Sequence, residues 1–159
     1  MKRLGAVLAL LVILTSLPAA AQQTRKPPEL VLKTSGVSQA GNLGSYCWTY
    51  GTQTQCNDTF AYDWPSAKPG DAKDKARVRI KRREKPIQFS LDYWRQVNEM
   101  GEPQGESTSI EYELKSRRVK GRKVWEAWFA LPGAGHFYLR AFGQWTPGDA
   151  FYDFHLQLD

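Results

Sequence analysis

The chain has 159 residues, a formal net charge of +6 and only two cysteines. That length suits one domain, and no apolar run beyond residue 21 approaches the roughly 20 residues a membrane helix needs, which excludes an integral membrane bundle. Moderate basicity suits an anionic partner without demanding one.

Lys2 and Arg3 precede an apolar run from Leu4 to Leu17, and Ala19-Ala20-Ala21 offers the small residues a signal peptidase requires. Residues 1–21 are therefore expected to be a cleaved secretory signal, with Pro18 and Gln22-Gln23 arguing against a retained anchor. No cysteine lies near the cleavage point, so lipid attachment there is not expected. Removing these 21 of 159 residues leaves 138 and takes away Lys2 and Arg3 but no acid, so the net charge falls from +6 to +4. The mature chain is expected outside the cytoplasm, secreted or periplasmic. All six Trp, seven Tyr and seven Phe remain in it, ample material for one core. Residues 22–28, ending in Pro27-Pro28, read as an extended leader, and 29–159 as a single β domain.

Glu29 to Lys33 is the first plausible strand, followed by a Gly/Ser-rich connection from Ser35 to Ser45. The stretch "GSYCWTYGTQTQCND" then reads as a hairpin. Gly51-Thr52 forms a two-residue loop, with glycine at the first central position as a type II′ turn requires. Pairing runs outward as Tyr50 with Gln53, Thr49 with Thr54, Trp48 with Gln55 and Cys47 with Cys56. The cysteines fall at a non-hydrogen-bonded position, where Cα atoms approach to about 4.5 Å, at the short end of what a disulfide tolerates. A structural disulfide is expected, worth roughly 2–3 kcal/mol by the chain-entropy estimate. Zinc is a poor rival, because two cysteines lack two further ligands and His136 and His155 lie far away on other strands. The spacing is also not the Cys-x-x-Cys of redox-active pairs. The same register puts Tyr46, Trp48 and Tyr50 on one face beside Asn57, Gln55 and Gln53. That face is either the edge of the core or a surface platform for a sugar ring or a protein partner. Asn57-Asp58-Thr59 fits the glycosylation sequon, relevant only in a eukaryotic secretory pathway.

From Thr59 to Ala76 two prolines and a Pro-Gly pair indicate a long irregular crossing between sheets. Val78 and Ile80 alternate with Arg77, Arg79 and Lys81, and then Ile87, Phe89, Leu91 and Tyr93 fall on one side. A short turn of helix is possible over Tyr93 to Met100. Asn98 to Ser107 is an acidic Gly/Pro loop. Ile110, Tyr112 and Leu114 share a face against Glu111 and Glu113, Lys120-Gly121 marks a turn, and Trp125, Ala127, Phe129 and Leu131 form the next inward set. The last third is plainest: Phe137, Leu139, Ala141, Gly143 and Trp145 at period two, a "TPGD" turn, then Tyr152, Phe154, Leu156 and Leu158. The sum is an all-β chain of seven to nine strands, and an antiparallel β-sandwich is the natural architecture at this size.

The turn "PGAGHFYLRAFGQW", its Gly-Asp turn and the alternating terminal strand resemble the last hairpin of immunoglobulin-like and fibronectin-like sandwiches, with Tyr138 the nearest counterpart of their corner tyrosine. Together with "GSYCW" and a second cysteine followed closely by an aspartate, this hairpin also resembles small exported bacterial proteins of uncharacterised function. The resemblance implies an immunoglobulin-like fold and an extracytoplasmic compartment, and no activity.

An enzymatic constellation is not legible. The serines lack a nucleophile-elbow context, and His155 is expected in solvent beside Asp153 and Gln157. The acids Glu99, Glu102, Glu106, Glu111 and Glu113 begin in a solvated loop, and Asp71 and Asp74 lack calcium-loop spacing. No catalytic residue, cofactor or metal is expected. The strongest chemical asymmetry is basic. Arg77, Arg79, Lys81, Arg82, Arg83 and Lys85 crowd one segment, and Lys115, Arg117, Arg118, Lys120, Arg122 and Lys123 another. Residues 77, 79, 81 and 83 recur at period two, so a strand would present them as one positive stripe, and the second cluster flanks a turn as a basic tip. If the two meet they form a polyanion site, with Arg77, Arg79, Lys81, Arg83, Arg117, Arg118, Lys120, Arg122 and Lys123 as its candidates. The rival reading is ordinary solvated surface that protects sheet edges, with the acidic loop lying across part of the stripe. The expected function is a non-enzymatic binding module for an anionic envelope polymer or another exported protein, with nucleic acid not the expected ligand. The alternative is protein or carbohydrate recognition through Tyr46, Trp48 and Tyr50.

Overall fold

The computed structural model describes residues 26–59 and 62–159, so the expected signal, 1–21, and most of the leader lie outside the described residues. Twelve strands follow in chain order: β1 (Leu30–Lys33), β2 (Ser38–Ala40), β3 (Asn42–Tyr50), β4 (Gln53–Asn57), β5 (Lys68–Gly70), β6 (Lys75–Ile80), β7 (Gln88–Trp94), β8 (Thr108–Ser109), β9 (Glu113–Val119), β10 (Arg122–Ala130), β11 (Gly135–Trp145) and β12 (Gly148–Leu158). They form an antiparallel sandwich. One sheet has the order β2-β1-β6-β10-β9, the other β4-β3-β12-β11-β7-β8, with β5 added in parallel to the end of β12. Among the described residues there is no helix, including over 93–100, and so none able to cross a membrane.

The count exceeds seven to nine because β2, β5 and β8 are two or three residues long. Such segments form by backbone pairing to a neighbour and carry no readable period. The long strands obey theirs. Leu30, Leu32, Val78, Ile80, Ala127 and Phe129 of one sheet meet Leu91, Phe137, Leu139, Phe154 and Leu156 of the other in a shared core. Ile87 departs from expectation: it precedes β7 and is 65% exposed, although its N–H donates to the Gln144 carbonyl.

The β3–β4 hairpin has the expected register throughout, Cys47 opposite Cys56 with Cα atoms 4.0 Å apart and a disulfide between them. Gly51 alone in its loop has positive φ, 58°, as the II′ turn demands. Both cysteines are exposed on the outer face, and the aromatics on the opposite face turn inward. Trp48 is fully buried and meets Trp145 edge-on at 6.0 Å. The Trp145 ring in turn lies over Gly143, where a Cβ would come within 2.3 Å of it. The surface platform of Tyr46, Trp48 and Tyr50 is therefore not formed: Trp48 is core, Tyr46 packs against the core, and Tyr50 is only half-buried at the strand end. The amides across the pair do not keep the tryptophan in water, because Trp145 and the Arg82 guanidinium lie against its ring.

Candidate functional site

The two basic segments do meet, though not as a stripe. Strand β6 ends at Ile80, so Arg77 and Arg79 share its outer face while Lys81 and Arg83 fall in the loop that follows. Strand β10 pairs with both β6 and β9, which brings the β9–β10 turn and the loop after β6 to one end of the same sheet.

Arg77 and Arg79 are committed to an acid that their sequence neighbourhood does not reveal. Glu126 lies opposite Arg79 in the register and is 1% exposed although it points to the outer face. Arg79 holds its Oε1 with Nε at 2.8 Å and Nη2 at 2.7 Å, Arg77 Nε reaches the same oxygen at 3.5 Å, and Arg117 Nη1 lies 3.9 Å from Oε2. Arg77 also stacks over Trp128, 4.5 Å from the ring centre. Three guanidiniums thus roof one carboxylate, and a buried charge is tolerated only when paired this way.

Beyond that network lies a cleft of about 940 Å³, lined by eleven residues of which eight are Lys or Arg and none is acidic. It contains seven of the nine candidates; Arg77 and Arg117 do not line it, and Arg82 is added. Arg79, Lys81 and Arg82 have acids at ion-pair distance in Glu126, Glu29 and Glu84. Among the described residues no such acid accompanies Arg83, Arg118, Lys120, Arg122 or Lys123, all of them exposed. Trp125 braces the cleft wall. Its Nε1 donates to the Arg83 carbonyl at 3.0 Å, and the ammonium of Lys123 sits 4.7 Å from its ring centre. The acidic loop does not line this cleft: it joins β7 to β8 of the other sheet and runs against Trp64, whose Nε1 donates to the Gly101 carbonyl.

The tip of the hairpin carries a local strain. Lys120 and Gly121 form a two-residue turn between the paired Val119 and Arg122, both with positive φ, 49° and 76°. Such a type I′ turn favours Asn, Asp or Gly at its first central position. A lysine there gives up about 1 kcal/mol of backbone preference and sets an ammonium at the mouth of the cleft.

On the outer face of the other sheet lies a second cluster, which the sequence reading missed. Asp153 is fully buried and doubly bonded to Arg140, at 2.7 and 2.8 Å, instead of lying in solvent. Arg140 stacks 3.8 Å from the Tyr62 ring centre, and Tyr62 stacks on Trp64. His136 and His155, expected on strands other than those of the cysteine hairpin, are diagonal neighbours across β11 and β12, with His136 Nδ1 and His155 Nε2 3.1 Å apart. The register of the terminal hairpin, with Tyr138 opposite His155, is the signal that would have found them. Burial, and secondarily the nearby His136, lowers the pKa of His155, while a bond to the Pro65 backbone opposes this. Among the described residues no three His, Cys, Asp or Glu side chains gather as a metal-binding group.

Comparison with known families, with curated proteins and with solved structures finds no match. The chemistry of these two sites must therefore speak for the chain by itself.

Proposed function

We propose that this is an exported, non-enzymatic binding module whose basic cleft holds an anionic polymer of the cell envelope. The observation that carries the reading is the set of five exposed cations, Arg83, Arg118, Lys120, Arg122 and Lys123, gathered at one end of the sandwich without counter-charges. Solvated surface cations on a protein this size are ordinarily interspersed with acids. Here the acids near the cleft are used up on Arg79, Lys81 and Arg82, and the remaining charge is open to a ligand. The strained Lys120 supports the same reading, since a residue kept against its local conformational preference points to a role beyond folding. The Cys47–Cys56 disulfide suits an oxidising compartment.

The test is co-sedimentation of the purified, oxidised protein with isolated envelopes as salt is raised. Five phosphate-type contacts on a single-stranded polyanion predict about a hundredfold loss of affinity between 50 and 200 mM salt. Arg118→Glu with Lys120→Glu is expected to abolish retention while leaving the melting temperature within a few degrees. Retention that survives this double reversal, or that ignores salt, would sink the proposal.

A milder variant separates stability from binding. Lys120→Asn is expected to gain about 1 kcal/mol by relieving the left-handed backbone, and to weaken retention several-fold. A thermal melt and a sedimentation isotherm of the same sample check it, and the two should move in opposite directions.

A further inference from the structure

The chain has two histidines in all, and the fold puts them in contact. We propose that His136 and His155 form a two-imidazole site for a divalent transition ion, Cu²⁺ above all, with water completing the coordination.

The geometry supports this at each step. The facing nitrogens are 3.1 Å apart. An ion about 2.0–2.1 Å from each, the usual metal–imidazole distance, would see them at an angle of roughly 95–100°. That angle lies between the cis angle of a square plane and the tetrahedral angle; with ring centres 5.3 Å apart the two nitrogens point nearly at each other, so each ring swings by roughly 20° to aim at the ion. The rings are also supported on both sides of that swing. Tyr138 stacks on His155 at 4.1 Å with 18° between planes, and on His136 at 5.8 Å with 20°. His155 bonds the Pro65 backbone as well. A ring nitrogen tied to a backbone carbonyl is the usual second-shell device that leaves the other nitrogen free to ligate. The two ligands come from strands paired over eleven positions, a rigid base. His136 is exposed, which leaves room for water on the open side of the ion. Imidazole pairs of this kind prefer Cu²⁺ over Ni²⁺ and Zn²⁺ by the general order of divalent affinities. Without metal the same contact is a single hydrogen bond between the rings.

The experiment is calorimetric titration of CuCl₂ into the untagged protein, with electron paramagnetic resonance of the bound ion. The expected result is one ion per chain with splitting from two imidazole nitrogens. His136→Gln, at an exposed position, should weaken binding at least about tenfold and remove that splitting, and His155→Gln should do the same. Should either variant misfold, Cu²⁺ added to the parent should broaden the amide signals of residues 136–138 and 155–157 and spare the hairpin tip at 119–122. Binding that His136→Gln leaves intact, as at the chain's own amino terminus, or broadening elsewhere, would overturn the proposal. Charge reversal at Arg118 and Lys120 should leave copper binding unchanged, so this site and the basic cleft fail independently.

Discussion

Trp48→Ala is expected to lower stability by about 3–5 kcal/mol, the usual cost of truncating a buried aromatic. With a net stability of about 5–15 kcal/mol for a domain, this shifts the melting temperature by roughly 10–20 °C. The size follows from what surrounds the ring. Trp48 is fully buried, meets Trp145 edge-on, and is capped by the Arg82 guanidinium 5.2 Å from its centre. Alanine leaves a void next to a second tryptophan that is itself packed over Gly143. Differential scanning calorimetry of the oxidised variant measures the loss. A melting temperature within about 2 °C of the parent would mean that the ring contributes no core packing, contrary to its burial. Tyr50→Ala is the control: half-buried at the strand end, it should cost no more than about 1 kcal/mol.

Glu126→Gln is the second large effect, a loss of about 3 kcal/mol. Removing one partner of a buried ion pair costs about 3–5 kcal/mol, and the lower end applies because the arginines keep 21%, 14% and 56% of their side-chain exposure and can turn outward to water. Chemical denaturation measures it. Replacing Glu126 and Arg79 together with Leu and Met, which removes both charges, should recover most of the loss, because buried pairs exchanged for apolar groups are often neutral in stability. A double variant as unstable as the single would assign the cost to packing instead of charge. Glu126→Gln also frees Arg79 at the edge of the cleft, so in cold, folded samples retention on envelopes should tighten and its salt dependence steepen. The same network explains why Arg79 is a poor site for testing the cleft by charge reversal: the new acid would face Glu126 and unfold the wall it stands on.

The cysteine hairpin, the inward faces of β6, β10, β11 and β12, and the all-β class were legible in the sequence because each depends on local rules. A II′ turn fixes its own register, and a half-buried strand shows its period of two. Strands of two or three residues have no period to show, which is why β2 and β5 passed as connections and β8 was not separated from the segment that leads into β9. Trp48 illustrates a different limit: its cross-strand pairing follows from the hairpin turn, yet its burial depends on Trp145 and Arg82, both distant along the chain.

The candidate site divides along the same line. Its cations were visible as two runs of like charge, and the Lys120-Gly121 turn was visible between the strands that carry the second run. Their fate was not. Whether an arginine faces solvent or a carboxylate depends on the partner that the sheet order sets beside it, and only the β6–β10–β9 order places Glu126 beneath Arg77, Arg79 and Arg117. The sequence by itself therefore determined the chain's strands, its staple and the sign of its charge. Tertiary structure decided which charges cancel, which stay open, and that two histidines nineteen residues apart touch, because electrostatics and ligand geometry act through space between strands, while hydrophobic period and turn chemistry act along the chain.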